Sequence, residues 1–398
     1  MKLINSVTSL AAVALLASAC ANSSPGVTGA GSQAATVALK IGVIIPLSGA
    51  AGPNGQHVLA AIEVEAAKVN AAGGINGRQI EVVAKDDQST PATGVAAAND
   101  LVSQKVDVVM GGWNSPVTLA IQPILVRGRV MNITTIPQNS AILGGADDAA
   151  VRMNAGNAVG GYVAAKYLTG TLGAKRIGLL LQNDAYGKDA GERLRKNLPA
   201  GVEVATEQVF AYTDTDFRVA LSNLQAAKPD AIFSANAAES SGQPALMKQL
   251  SQLGLGVPYF AGTGTVSQTV INVAGKGANE AYSADLYFPE AEPWASSQQN
   301  KDFVAAFKAK TGDMPDKFAA LGAQSVDVWA QAVKKVGTTE RSAVGKAIHG
   351  QTFAGTLLGD VTFTQNGQMV IKMYAFQVKA EKVDVRDEIP VPAEIWTQ

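Results

Sequence analysis

Cysteine is almost absent from this chain. The single one, Cys20, stands close to the N-terminus, so the rest of the sequence must fold without disulfides. Histidine is nearly as scarce, and His57 and His349 lie far apart, which excludes most zinc sites and Cys-His constellations. An excess of charge of one sign is lacking too. The 32 Lys and Arg against 33 Asp and Glu leave a net charge of −1, without basic runs, so nucleic acid is not an expected partner. There is no apolar run long enough to span a bilayer; the longest candidate, Val7 to Leu16, is too short. There is no G-x-S-x-G and no P-loop, and the pair Gly262-x-Gly264 lacks the rest of a dinucleotide fingerprint. The adjacent carboxylates Asp86-Asp87 are read as pointing apart and capping the next helix, and His57 as a solvated helix residue. No enzyme activity, cofactor or metal is expected.

What is present is an apolar, glycine-rich chain of 398 residues, with 47% hydrophobic content and 40 glycines, enough for two or three cores. Residues 1–20 read as an export signal: Lys2, the apolar run, then Ala17-Ser18-Ala19 before Cys20. That ending resembles a bacterial lipoprotein box, in which Cys20 would be acylated and anchor the protein to the cell envelope; Ala17 stands where such boxes prefer Leu. The alternative is cleavage after Ala19-Cys20-Ala21, leaving a mature start at Asn22. Residues 21–36, rich in Ser, Gly and Ala, read as a flexible tether.

From there short apolar strands alternate with helices. Strands are expected at Ala38–Ile45, Gln79–Ala84, Val106–Met110, Val130–Ile133, Arg176–Leu181, Glu203–Phe210, Pro229–Ser234, Tyr259–Ala261 and Met369–Lys379. Helices are expected at about 55–72, 92–104, 116–126, 160–169, 188–197, 218–227, 244–253, 294–311 and 318–336. Such alternation on short loops predicts α/β architecture with doubly wound parallel sheets, in two similar halves.

One stretch organises the first half. The strand Val106–Met110 breaks at Gly111-Gly112 and runs through Trp113-Asn114-Ser115 to Pro116, a polar opening followed by proline in the first helical turn. A strand that passes through glycine into a helix leaves backbone N–H groups free in a crevice, where they and the helix dipole favour an anion. A small-molecule carboxylate is expected there.

The run Asn70-Ala71-Ala72-Gly73-Gly74-Ile75-Asn76-Gly77-Arg78, then Asp86-Asp87-Gln88-Ser89, strongly resembles the periplasmic branched-chain amino-acid-binding proteins of ABC transporters. Pro46-Leu47-Ser48-Gly49, Asn183-Asp184-Ala185-Tyr186-Gly187, Asp216-Phe217 and Phe318-Ala319-Ala320-Leu321-Gly322-Ala323 fit in order, although that family often has Tyr at the places of Phe318 and Ala323. The resemblance spans most of Leu39 to Val336. It implies the type I periplasmic binding protein fold: two doubly wound parallel-sheet lobes with a three-segment hinge. The expected division is 37–153 with about 285–357 in one lobe, and 154–284 with about 358–398 in the other.

By the same resemblance, the ligand carboxylate meets Ser115 and the backbone of Trp113 and Asn114, and a second loop at Gln138 and Ser140. Tyr186 lines the opposite wall, and Thr263 lies in a loop facing the cleft. Amino-acid binders carry an acidic residue in that loop for the ligand ammonium, but here Gly264 holds the place. Either another carboxylate substitutes, with Glu239 ahead of Asp285, or the ligand has no amine. The implied function is the substrate-binding component of an importer. It would be a periplasmic or envelope-anchored monomer that takes a hydrophobic amino acid or related organic acid to a membrane permease. The alternatives are an amide or urea binder of the same class, and an outer-membrane interaction lipoprotein that activates cell-wall synthesis.

Overall fold

The computed structural model describes residues 37–144 and 147–398; the expected signal segment, Cys20 and the tether fall outside them. The elements run in the order β1 (Leu39–Ile45), α1 (Gly52–Ala71), β2 (Ile80–Asp86), α2 (Pro91–Ser103), β3 (Val108–Gly111), α3 (Ser115–Arg127), β4 (Met131–Thr134) and β5 (Val151–Arg152). Then come α4 (Asn157–Lys166), β6 (Arg176–Gln182), α5 (Ala185–Lys196), β7 (Glu203–Phe210), α6 (Arg218–Ala227), β8 (Ala231–Ala235), α7 (Gly242–Leu253), β9 (Tyr259–Ala261), α8 (Gln268–Ala274) and β10 (Ala281–Asp285). The last part comprises α9 (Gln298–Thr311), α10 (Lys317–Val336), α11 (Arg341–Ile348), β11 (Thr352–Thr356), β12 (Gly359–Phe363), β13 (Met369–Val370), β14 (Met373–Lys379) and β15 (Lys382–Ile389).

Strands β1 to β5 form a parallel sheet in the order β2-β1-β3-β4-β5. Its central strands are apolar on both faces, as a sheet covered by helices on both sides requires. α1, α9 and α10 pack together beside it, while α2 and α3 close a separate core of Ile44, Leu101, Val109, Ile121 and Leu125. Each fully buried aliphatic side chain contributes about 1.5–3 kcal/mol, so the covering helices are held mainly by these contacts. The second sheet has seven strands, β15-β14-β10-β9-β8-β6-β7. The five strands from β10 to the edge strand β7 are parallel, and β14 and β15 are added antiparallel at the other edge. The fold is α/β with two doubly wound sheets, as expected.

The chain passes between the sheets after β5, after β10 and after β13. The last passage differs from the expected return near residue 358. β11, β12 and β13 form a small sheet of their own, and the chain joins the seven-stranded sheet only at Met373. The reason is packing: the hairpin closes Phe353 edge-on against Phe363, and Gln324 of α10 donates to Thr356 at 2.8 Å. The strand expected at Met369–Lys379 is therefore two strands in two sheets. At Trp294 a short 3₁₀ turn precedes α9, where one continuous helix was expected.

Ligands in open α/β sheets bind beyond the carboxyl ends of the strands, where strand order reverses. In the first sheet that point lies between β1 and β3, and in the second beside β6, flanked by β7 and β8. The loops leaving β3, β4, β6, β8 and β9 meet there.

Candidate ligand-binding site

Between those loops lies a narrow cavity, with about 380 Å³ of space between its walls when the open mouth is included. The first sheet lines it with Trp113, Asn114, Ser115, Ile136, Pro137 and Gln138, together with Phe318 from α10; the second with Gln182, Asp184, Tyr186, Ala237, Glu239 and Thr265. The walls also touch directly. Gln138 Nε2 donates to the Thr263 carbonyl at 3.0 Å and Asn139 Nδ2 to the Ala185 carbonyl at 2.6 Å.

The first wall is built around the start of α3. Asn114 is the cap residue, yet its side chain makes no capping hydrogen bond, and its buried Oδ1 has no partner among the described residues. Pro116 has no N–H, and the first backbone bond of the helix is Thr118 N–H to the Asn114 carbonyl. The N–H groups of Ser115 and Val117 are thus left to a ligand, at the positive end of a 13-residue helix. Ser115 Oγ accepts from Asn139 N–H at 3.3 Å, which leaves its own proton free to be donated. Gly112 makes the turn possible: its φ is +86°, and a Cβ there would stand 2.9 Å from Thr118 Oγ1. Trp113 stacks obliquely on Phe318, with centroids 4.8 Å apart, and its buried Nε1 has no protein acceptor among the described residues.

On the second wall Asp184 is occupied. It caps α5 through the N–H groups of Tyr186 and Gly187 and accepts from Gln182 Nε2 at 2.5 Å. Glu239 is different. It is buried, and its Oε2 has no partner among the described residues. Burial pushes its carboxyl well above the usual range, against the opposing pull of Lys317. Burial likewise raises the Tyr186 hydroxyl.

The residues expected from sequence separate into two groups. Trp113, Asn114, Ser115, Gln138, Tyr186 and Glu239 come together around the cavity. Ser140 does not line it; its N–H and Oγ bind Asp189 Oδ2 at 2.8 and 3.1 Å. Thr263 gives its carbonyl to Gln138, and it is Thr265, two residues on, that lines the space. Asp285, the weaker candidate for an ammonium partner, already faces Lys317 Nζ at 3.6 Å. Asp86 and Asp87 diverge as expected. They bind the turn, however, rather than capping a helix: Asp86 takes Leu47 and Gln88 N–H and Asp87 takes Ser89 N–H, while Thr90 is the cap of α2. His57 sits on α1 against the exposed Asp313.

Gln182, Asp184, Ile136, Pro137, Thr265 and Phe318 went unassigned, although most could have been found at the carboxyl ends of predicted strands. Lys317 had no signal in the sequence. Its ammonium lies 3.4 Å from the Gly264 carbonyl and 4.4 Å from the centre of the Phe318 ring. It fills the space where a side chain on Gly264 would begin.

Comparison with known proteins agrees with this geometry. A family model described as "Periplasmic binding protein" matches residues 38–383. The Leucine-, isoleucine-, valine-, threonine-, and alanine-binding protein of Pseudomonas aeruginosa is 27% identical over 352 residues, 87% of this chain and 92% of that one. The branched-chain amino acid transporter substrate-binding protein LivJ of Streptococcus pneumoniae, solved with isoleucine, superposes with a TM-score of 0.80 at 26% identity, covering 88% of this chain and 99% of that one. A solute-binding protein of an ABC transporter from Rhodopseudomonas palustris, solved with 3,4-dihydroxybenzoic acid, gives 0.77 at 25%, covering 88% and 96%. The chain is a member of the periplasmic binding protein family, among the substrate-binding proteins of ABC transporters that resemble the branched-chain amino-acid binders.

Proposed function

We propose that the protein captures a small carboxylate-bearing ligand, foremost a hydrophobic amino acid, between its two sheets and delivers it to a membrane permease. One observation carries the reading: an uncapped helix N-terminus with Ser115 and the buried carboxyl of Glu239, whose Oε2 has no partner among the described residues, line the same cavity. The first suits a ligand carboxylate; the second suits an ammonium, which Gly264 cannot hold. Trp113, Phe318, Ile136 and Pro137 offer an apolar surface to the ligand side chain. The five-stranded sheet with α9 to α11 acts as one lobe and the seven-stranded sheet as the other, hinged at the three passages of the chain, and the ligand draws the lobes together because it binds the closed form better. Cys20, acylated, tethers the mature protein to the envelope. No helix among the described residues is long and apolar enough to cross a membrane.

The test is a thermal-shift screen with leucine, isoleucine, valine, 4-methylpentanoate, benzoate and 3,4-dihydroxybenzoate, followed by solution scattering. A ligand at a hundred times its Kd stabilises by about 2.7 kcal/mol. Amino acids should raise the melting temperature more than 4-methylpentanoate, and the bound protein should be more compact. No response to any acid would end the reading. A second reading, an aromatic acid without an amine, has a specific support in the Trp113–Phe318 pair bordering the cavity, against which a ring could pack. In that case 3,4-dihydroxybenzoate outperforms leucine.

A further inference from the structure

Arg152, at the end of β5, is a fully formed cation in the interior: only 2% of its surface is exposed. Among the described residues no carboxylate lies within ion-pair distance of it. Burial lowers it to about 10, so it stays charged at neutral pH. Its partners are all neutral oxygens. Nε donates to Gln368 Oε1 at 2.6 Å, and Nη1 to the carbonyls of Gln138 at 3.3 Å and Asn139 at 2.9 Å. The nearest acid, Asp189, is engaged elsewhere, by Ser140, Asn157 and Arg193. Room for the guanidinium depends on Gly156, where a Cβ would stand 2.2 Å from Nη2. An uncompensated buried charge costs several kcal/mol, so its retention here asks for a counter-charge.

The two carbonyls it holds have a further effect. In a trans peptide the C=O and the following N–H point in opposite directions. With the Gln138 carbonyl turned to Arg152, the Asn139 N–H is turned to Ser115 Oγ, at 3.3 Å, in the cavity wall. With the Asn139 carbonyl turned to Arg152, the Ser140 N–H is turned to Asp189 Oδ2 at 2.8 Å, on α5 of the opposite sheet. Arg152 shares this hold, since the Gln138 carbonyl also accepts from Asn157 N–H at 2.7 Å and the Asn139 carbonyl from Ile142 N–H at 3.2 Å. Among the described residues it is nonetheless the one side chain that joins two successive amides, one turned toward the site and one across the cleft. Through Gln368 it also reaches the chain just before its last passage between the sheets.

We propose that Arg152 is a positioning residue that couples the ligand's carboxylate to closure, supplying the positive charge behind the 138–140 loop and fixing the amides that bind Ser115 and Asp189. This rests on the functional reading above. It makes the preference for an acid over its neutral amide a property of Arg152, a residue that does not itself line the cavity.

The experiment measures binding by calorimetry for the pairs L-leucine with L-leucinamide and benzoate with benzamide, reading the pair whose acid binds the unmodified protein. Arg152→Met should weaken the acid by roughly ten- to a hundred-fold, the worth of a hydrogen bond to a charged group, and the amide far less. Arg152→Lys, which keeps the charge without the fork, should bind both more weakly yet keep the preference; it also serves if the Met variant does not fold. Asp189→Asn should loosen the liganded form in solution scattering while leaving the preference intact. Equal losses of acid and amide in Arg152→Met, loss of the preference in Arg152→Lys, or loss of the preference in Asp189→Asn would overturn the assignment. If neither acid binds the unmodified protein, the functional reading falls and this inference with it. If an acid binds but the preference does not follow Arg152, only the inference falls.

Discussion

Replacing Gly264 by alanine adds one methyl group at a position that admits none. The backbone there has φ +77°, a left-handed conformation that costs a residue with a Cβ about 1–2 kcal/mol. The new Cβ would also stand 1.6 Å from Lys317 Nζ and 3.0 Å from its Cε, so the ammonium has to leave. Its departure strands Asp285, which is buried and faces Lys317 at 3.6 Å. Breaking such a pair costs about 3–5 kcal/mol. The expected loss is therefore about 4–7 kcal/mol in the unmodified protein. In a Lys317→Met background only the backbone strain of about 1–2 kcal/mol remains, because that substitution has already stranded Asp285. The coupling between the two positions should be about 3–5 kcal/mol in a double-mutant cycle, read from urea unfolding followed by tryptophan fluorescence. The coupling should also depend on pH. Burial raises Asp285 from the ordinary 3.8 to about 6 even with Lys317 pulling it down, so once Lys317 has left, the stranded carboxyl keeps its proton to higher pH still. The loss should be smaller at pH 5 than at pH 7.5. Equal losses in both backgrounds, or a loss that does not change with pH, would refute the argument that Lys317 occupies the space above Gly264.

Asp87 is fully buried, with one oxygen lacking a partner among the described residues, and burial raises its carboxyl from 3.8 to about 6. A raised carboxyl contributes stability below 3.8 that is lost as pH rises through 6, a difference of about 3 kcal/mol. Asp87→Asn should therefore raise the melting temperature by a few degrees at pH 7.5 and leave it nearly unchanged at pH 3.5, measured by calorimetric scanning. Ser115→Ala removes one donor to the ligand carboxylate and should weaken acid binding roughly ten- to a hundred-fold, by titration calorimetry; because Asn139 N–H also loses its acceptor, the free protein should lose about 1–3 kcal/mol as well. An ammonium arriving beside Glu239 should drive off its proton. Leucine binding in buffers of different ionisation enthalpy should then show proton release, rising in affinity with pH, and Glu239→Gln should abolish the release.

The architecture was legible wherever an element's pattern is local. β1, β3, β6 and β8 are continuous apolar runs because parallel strands are buried on both faces, and glycine and polar turns separate them from their helices. The added strands were harder. β15 is half exposed along its length, and β10 is a five-residue strand whose place between β9 and β14 is set by partners from elsewhere in the chain. Nothing inside Met369–Lys379 marks the break between two sheets, since both halves are apolar. The site divides in the same way. Trp113 and Ser115 follow a predicted strand at its carboxyl end and could be placed from the strand-loop-helix pattern, whereas Tyr186 was placed by the family resemblance. Ser140 looked like their equal, and only a partner 49 residues away, Asp189, takes its hydroxyl from the cavity.

The charges of the second wall show what pairwise geometry adds to residue identity. Taken by itself, a glycine at the place of the usual acid argues against an amine in the ligand. The structure shows why the glycine is there: Lys317 comes over it from the opposite side of the cleft and faces Asp285. An acid restored at 264 would collide with that lysine. The carboxylate left without a partner is Glu239, on the loop that follows β8, in the wall of the cavity. Asp285 and Glu239, both buried, and the half-buried Asp316 are three carboxyl groups gathered around a single lysine. Such a cluster carries more negative than positive charge whenever its acids ionise, and a cationic group entering the cavity would relieve it. The departure at Gly264 is thus consistent with an amine-bearing ligand whose partner has moved from one loop of the second sheet to the next. A ligand that binds equally well with and without its amine would break that argument.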